Sequence, residues 1–573
     1  QRIIDRLVVI RYAEDKWVLE KPDQLKKALD YYEGTDYADL STTLINFFDG
    51  FDKIHDTKIF EKNKKIDDIL KKINDKILAK IINELYLQNF RKFKSDILGS
   101  TYEAYLATKL IEKNGTLELE SSETARKKMG IYYTPPHIVE YIIKNTLGTK
   151  LEKIWKECRD LLEDEKYEDA IDKFKEIETI RVLDPACGSG SFLIKAYECI
   201  EKYYKKYQEK IEEIKEAIRK EKSGQVKITE ENILNKLDEP LKDYQRKILK
   251  NNLYGVDLDK VAAEIASINL MLKAIKRGEK LPLILEENIK VGNSIVTGVE
   301  NKKELEEHSD QIKELIRLRQ QIKKEKNPEK KNDLKKDYMA LKKDLELQIN
   351  KNLENYFTNL EGIKPFNYEL EFPEVFYNEK GELRRDPGFD VVIGNPPYLR
   401  YQRLKHLRQY LQSQYKCYHG AADLYVYFME RGLRLLKKDG FFSYITSNKY
   451  TRANYGQKLR KWIRQNFRIV KYTDYSGEKI FKNATVDPAV IIIRKKPAKG
   501  EIRVNEKFDL HQNRLNDKSW VFQRLDIYRI KEKIEARGIP LVEWNVKIHS
   551  GVKSGFNDAF IISENKKREI NLI

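Results

Sequence analysis

Apolar residues along this chain change their period several times, and the changes divide it into helical stretches and short buried strands. From residue 1 to about 120 they recur at three- and four-residue steps. Leu7, Val8, Ile10 and Tyr12 open one such segment, and Ile66, Ile69, Leu70, Ile73, Ile77, Ile81 and Leu85 follow one face of another. That periodicity predicts a helical connector or support domain over residues 1–120. Residues 150–178 read as a charged helical spacer, and residues 203–250 as a charged helical insertion. Between 302 and 356 two amphipathic helices flank a break at Asn327-Pro328, which predicts an antiparallel helical hairpin.

A different pattern lies between these stretches. Short uninterrupted apolar runs near residues 180–184, 253–257, 288–291 and 389–394 each stop at a polar turn, and helical periodicity resumes after most of them. Runs without alternation fit strands buried on both faces, and strand–helix alternation predicts an α/β fold with a parallel sheet. Further along, a helix over 424–436, a strand over 440–445 and a hairpin-like pair over 469–475 and 486–493 continue the scheme.

Composition narrows the partners only modestly. The chain has 573 residues, with 110 Lys+Arg against 92 Asp+Glu and a formal charge of +18. Such a balance favours a polyanion, although a Lys/Glu/Ile-rich composition of the kind found in heat-adapted proteins accounts for it equally well. Cys158, Cys187, Cys199 and Cys417 form no CxxC pair, which argues against a disulfide framework or a structural zinc site and places the protein in a reducing compartment. No run of 18 apolar residues and no export-type start occurs, so neither membrane insertion nor secretion is expected. The chain opens on Gln1 and stops in mid-pattern at Ile573, as an excised fragment would.

Candidate chemistry gathers at the strand tips. The run over 389–394 ends in Asn395-Pro396-Pro397-Tyr398, where two prolines stiffen the turn. An amide oxygen and a carbonyl held side by side can accept both hydrogens of an exocyclic amino group, and Tyr398 offers a flat face to an aromatic ring. The set suits methylation of a planar amine. Upstream, Asp184-Pro185-Ala186-Cys187-Gly188-Ser189-Gly190 links a strand directly to a helix. Its glycines allow close approach of a ligand, and its acid suits the ammonium of an amino-acid-bearing nucleoside better than a pyrophosphate. Asp257, at the next strand tip, is the expected partner of ribose hydroxyls, and Asn293, beyond the third, can read the amino edge of an adenine. Thr134 with Pro135 and Pro136 reads as a threonine-capped helix start whose free N–H groups can receive a carboxylate. After Tyr398 the chain interleaves Arg400, Tyr401, Arg403, Lys405, His406, Arg408, Tyr410, Tyr415 and Tyr418, a mixture suited to phosphate contacts and base stacking. Phe481 is either a core plug or a second aromatic wall of the substrate pocket.

Four stretches, residues 130–136, 184–192, 395–398 and 447–450 with 455–460, together resemble the gamma-class N6-adenine DNA methyltransferases, in particular the fused restriction-modification (type IIG) group. The resemblance spans about residues 85–573. It implies a Rossmann-like, seven-stranded, mainly parallel sheet over residues 121–540 with the hairpin as an insertion, and the opening of a truncated target-recognition domain over 541–573. It implies S-adenosyl-L-methionine as donor, double-stranded DNA as partner, a prokaryotic cytoplasm and no metal. Carried across, Thr134 would hold the donor's carboxylate, Asp184 its ammonium, Asp257 the ribose and Asn293 the adenine. Tyr133, Pro185, Ala186, Cys187, Gly188, Gly190, Leu258 and Ser294 would complete that site. Asn395, Pro396, Pro397, Tyr398 and Phe481 would hold a flipped-out adenine for transfer to N6. The nuclease of fused members is not seen upstream. Methylation of a protein glutamine or an RNA base, and a non-catalytic DNA-binding subunit, stay open as alternatives.

Overall fold

The computed structural model describes residues 2–15, 23–35, 39–55, 60, 62–90, 108–113, 116–121, 134–221, 234–274, 287–299, 302–325, 327–481, 486–539 and 543. Residues 1–521 form one compact unit and 522–573 a second, in which the helix Leu525–Arg537 is described. Tyr133 and the expected recognition-domain start at 541–573 lie outside the described residues, apart from residue 543.

The first unit begins with helices, as the periodicity predicts: Arg2–Asp15, Gln24–Glu33, Leu40–His55, Lys64–Leu70 and Asp75–Tyr86. Arg11, paired with Glu14 (3.0 Å) and Asp15 (2.8 Å) of its own helix, joins the first helix to the fifth by lying over the Tyr86 ring at 4.1 Å, while the Tyr86 hydroxyl donates to Glu14 at 2.9 Å. The region is not helical to residue 120. β1 (Thr108–Lys113) and β2 (Thr116–Ser121) pair antiparallel, and the sequence does alternate at period two over β2, directly after Asn114-Gly115, a strong hairpin signal that the helical reading passes over.

The centre of the unit is a sheet of β3 (Val182–Asp184), β4 (Leu253–Asp257), β5 (Ile289–Val291), β6 (Phe389–Gly394), β7 (Leu436–Ser447), β8 (Arg468–Asp474), β9 (Pro488–Arg494), β10 (Glu501–Val504) and β11 (Phe508–His511). Their order is β11-β10-β8-β9-β7-β6-β3-β4-β5. Among the described residues this corrects the expected seven strands to nine, with β9 and β11 running against the rest. The extra strands are short and peripheral. Asn505 and Glu506, with φ of 49° and 56°, make the tight left-handed turn that folds β11 back on β10.

Val182, Leu183, Val391, Val392 and Ile393 are all fully buried, which is why the central strands read as unbroken apolar runs. Burial of each such side chain contributes about 1.5–3 kcal/mol. Residues 150–178 are not a spacer. The helices Leu147–Glu163 and Tyr167–Lys175 bury Leu151, Trp155, Cys158 and Leu162, and Phe174 stacks on Tyr207 of the helix Ser191–Glu221 at 4.0 Å. The predicted break at Asn327-Pro328 is present between the helices Ser309–Lys324 and Pro328–Ile349, where the Asn327 side chain accepts from the N–H groups of Glu329 and Lys330.

Candidate active site

β3, β4, β5 and β6 run parallel, so their carboxyl ends open on one edge of the sheet. The chain passes from β3 to β4 and β5 on one side and returns on the other side of β3 with β6. The crevice between β3 and β6 is therefore the point where the winding reverses, the usual place for a ligand in an open α/β sheet. Asp184 ends β3 and Gly394 ends β6.

Asp184 is 1% exposed, and burial, with the nearby Asp257 charge adding to it, pushes its carboxyl up to about 8. The Ala186 N–H donates to it at 3.1 Å. Gly394 makes this proximity possible: its φ is 154°, and a Cβ there would lie 2.7 Å from Asp184 Oδ1. Gly188 and Gly190 also have positive φ, 53° and 88°, and a side chain at Gly190 would press on Ala266 of the helix Lys260–Ala274. The Asn269 amide on that helix donates to the Ser189 carbonyl at 3.0 Å and sets the turn from behind.

The turn is joined to the next strand through Asp257, which accepts from the Gly188 N–H at 2.9 Å and from the Asp259 N–H at 2.8 Å. Burial raises its carboxyl to about 6 against the pull of those donors. Leu258, 51% exposed, puts apolar surface beside it. Beyond β5, the Asn293 N–H donates to the Lys364 carbonyl at 2.8 Å, and the Ser294 hydroxyl donates to the Pro185 carbonyl at 2.5 Å. Cys187, 4% exposed, faces Gly255, where a Cβ would meet its sulfur at 3.0 Å. Asp257 and Ser294 thus meet the turn that runs from Asp184 to Gly190, whereas Asn293 bonds to Lys364.

Thr134 does not cap the helix that follows it. The residue capping the helix Pro136–Asn145 is Pro135, and no side chain closes that helix start. Thr134 is 3% exposed, and its hydroxyl oxygen accepts from the Asn395 Nδ2 at 3.0 Å, across 261 residues of chain. The capping reading rests on local preference, whereas the hydroxyl has a long-range amide donor that no local pattern reveals.

On the other wall, Tyr398 is fastened by its hydroxyl, which donates to the Ile445 carbonyl of β7 at 3.1 Å. Its ring meets Tyr425 and Phe481 edge-on, both at 6.1 Å, with interplanar angles of 77° and 76°. Phe481 is 6% exposed and packed in the core, as the first of its two readings expects, with its ring against Tyr398. Pro396 is buried, and Asn395, Pro397 and Tyr398 are half-buried. The sequence assigned no role to Gly394, Tyr425 or Asn269. Only Gly394, directly before the Asn-Pro-Pro-Tyr turn, had a local signal.

Two other expected stretches serve the scaffold. Asn448 donates to Ser476 at 2.8 Å, and Arg460, 1% exposed, gathers the carbonyls of Tyr450, Ala453 and Lys518 at 2.5, 2.8 and 2.6 Å. Of the basic, aromatic segment after Tyr398, Arg400, Arg403, Lys405, His406 and Arg408 are exposed, but Tyr410 and Tyr415 are buried and present no face to a base. No helix among the described residues is long and apolar enough to cross a membrane.

Residues 94–281 match the family model described as N-6 DNA Methylase, and residues 251–481 the one described as Eco57I restriction-modification methylase. The chain is similar to N6-adenine DNA methylases of restriction-modification systems, each model covering less than half of its length. The chain is 24% identical to the type II restriction enzyme and methyltransferase RM.Eco57I of Escherichia coli, over 86% of its own length and 40% of that protein. It is 26% identical to RM.MjaORFECS2P of Methanocaldococcus jannaschii, named as a putative enzyme of the same kind, over 87% of its own length and 48% of that protein. It therefore spans less than half the length of either relative. The type IIL restriction-modification enzyme MmeI, solved with DNA, overlays on 88% of this chain and 56% of that one, with a TM-score of 0.48 and 14% identity.

Proposed function

We propose that this protein transfers a methyl group from S-adenosyl-L-methionine to N6 of an adenine swung out of duplex DNA, as the modification part of a restriction-modification system. The observation that carries the reading is the Asn395 amide. Its nitrogen is held by Thr134, its Oδ1 is buried at the crevice, and Gly394 beside it lets the β6 tip close on Asp184.

The donor side fits a zwitterionic nucleoside. Asp184 is a buried acid in want of a cation, the glycines leave room for a chain to pass, and Asp257 keeps acceptor capacity for hydroxyls beyond its two backbone donors. Bound there, S-adenosyl-L-methionine would supply an electrophilic methyl group. On the target side a base reached inside a duplex would be inaccessible, so it must leave the stack at a cost of a few kcal/mol. Stacking on Tyr398, braced by Tyr425 and Phe481, returns about 1–3 kcal/mol. Asn395 Oδ1 and the Pro396 carbonyl accept the two N6 hydrogens and draw the nitrogen lone pair out of the ring toward the methyl group. As the N6–C bond forms the S–C bond breaks, S-adenosyl-L-homocysteine is left, and the surplus N6 proton passes to solvent, so no strong base is needed when the approach is held in line.

Duplex DNA, a glutamine-bearing protein and RNA, each incubated with the protein and donor labelled in the methyl group, distinguish the alternatives. Label is expected on N6 of adenine in duplex DNA. Label confined to protein or RNA, or donor binding without transfer to any of the three, would replace this reading with one of its rivals.

A further inference from the structure

The buried turn after β5 is gripped from two sides. Toward the Asp184 turn, the Ser294 hydroxyl donates to the Pro185 carbonyl. From the opposite side two phenols take its main chain. The Tyr415 hydroxyl donates to the Ile295 carbonyl at 2.6 Å, and the Tyr410 hydroxyl accepts from the Thr297 N–H at 2.9 Å and donates to the Thr297 carbonyl at 3.1 Å. Ile295, Val296 and Thr297 are 2%, 0% and 4% exposed, so these hydroxyls stand where solvent cannot. Both tyrosines are themselves buried, 113 and 120 residues from the groups they hold.

They belong to the other wall of the crevice. Tyr410 is on the helix Arg408–Gln414 and Tyr415 caps its end, and this helix completes the segment that leaves Tyr398 carrying the exposed Arg400, Arg403, Lys405 and Arg408. A connected path of hydrogen bonds and backbone therefore runs from the basic edge, through Tyr410 and Tyr415, along residues 294–297 and into Pro185.

We propose that Tyr410 and Tyr415 are positioning residues that couple the two binding events: phosphate held along the basic edge steadies the turn that walls the donor site, and a bound donor steadies the basic edge. The inference rests on the methyl-donor reading above. The coupling is reciprocal, since each ligand raises the affinity of the other by the same factor. Ring packing is not the agent. Tyr410 lies edge-on to Tyr356 at 5.6 Å, and phenylalanine would keep that contact while removing only the hydroxyl.

The test is calorimetric titration of the Tyr410→Phe/Tyr415→Phe protein with S-adenosyl-L-homocysteine, the donor lacking its methyl group, alone and with a mixed-sequence DNA duplex. Loss of these hydrogen bonds is expected to weaken binding about three- to tenfold without DNA. The extra affinity that DNA confers on the wild-type protein is expected to shrink toward none. Tyr427→Phe serves as the control, because its hydroxyl bonds to the His419 carbonyl in the same region, and it should leave both quantities unchanged. Tyr415→Phe alone should show a smaller shift in the same direction, should the double variant melt too early to titrate. Wild-type affinity and wild-type DNA enhancement in the double variant, or an equal shift in Tyr427→Phe, would overturn the coupling. A wild-type protein that bound no S-adenosyl-L-homocysteine would remove the donor reading itself, a separate result.

Discussion

The two walls of the crevice are made by different means. The β3–β4 wall is backbone and buried charge: glycines with positive φ, main-chain N–H groups on Asp257, and an Asp184 carboxyl that burial keeps protonated near neutrality. The β6–β7 wall is mainly side chains braced by side chains: Asn395 on Thr134, Tyr398 on Tyr425 and Phe481, with the Ile445 carbonyl lent by the main chain. A wall of backbone and buried charge should be sensitive to pH and intolerant of added atoms. A wall of packed side chains should answer mainly to the loss of a particular group, and its failures should appear in turnover rather than in donor affinity.

The sharpest separation of the walls is expected from Asn395→Ala. Loss of an acceptor aimed at the developing charge should lower transfer to DNA by about 10²- to 10³-fold, with donor affinity nearly unchanged. Methylation kinetics paired with calorimetry check this, and a matching loss of donor affinity would mean that the walls are not independent.

Asp184→Asn should do the reverse. An acid ionising near 4 when unfolded and at about 8 when folded costs nothing below pH 4. Between 4 and 8 the unfolded chain gives up a proton that the folded chain keeps, so stability falls as pH rises through that window. Removing the acid should raise the Tm of the donor-free protein at pH 8 and leave it unchanged at pH 4. Donor affinity should drop by about 10-fold or more, as expected when a charged hydrogen bond worth about 1.5–3 kcal/mol is lost. In the wild type, a cationic donor should drive proton release at pH 7 and bind more tightly as pH rises to 8. Thermal melts across pH, with calorimetry in buffers of different ionisation enthalpy, test both halves. An affinity indifferent to pH between 6 and 8 would remove Asp184 from the donor site.

Much of this contrast is legible in the sequence, and unequally. The β3–β4 wall is written locally, because a strand tip, an acid and two glycines lie within seven residues of one another, from Asp184 to Gly190. Their grouping around Asp257 follows from strand order alone. The other wall is only half written. Asn395-Pro396-Pro397-Tyr398 is contiguous, but Thr134, Tyr425 and Ile445 reach it through tertiary packing that no spacing encodes. The same limit explains the edge strands β10 and β11, four residues each with charged positions among the apolar ones, and the helices Leu147–Glu163 and Tyr167–Lys175. Their charge suggested a spacer, although one face of each is buried.

Tyr398→Ala tests the side-chain wall by size. Stacking worth about 1–3 kcal/mol should be lost, a reduction of about 5- to 150-fold in transfer to duplex DNA. A mispaired adenine is cheaper to swing out, so the deficit should narrow on a mismatched duplex. An equal deficit on both substrates would place Tyr398 outside the flipping step.

The smallest effect separates two accounts of one residue. Resemblance gives Thr134 to the carboxylate of the donor, whereas its hydroxyl is bonded to the Asn395 amide. A hydroxyl on the donor, removed in Thr134→Val, would raise KM for the donor and spare kcat. A hydroxyl that only orients Asn395 would lower kcat, by about 2- to 10-fold for one neutral hydrogen bond, and leave donor affinity alone. Thr134→Ser keeps the oxygen and should restore most of the rate. The second outcome is expected, because the Asn395 nitrogen must be occupied for its Oδ1 to face the crevice, and a valine methyl in place of the hydroxyl would free the amide to turn over.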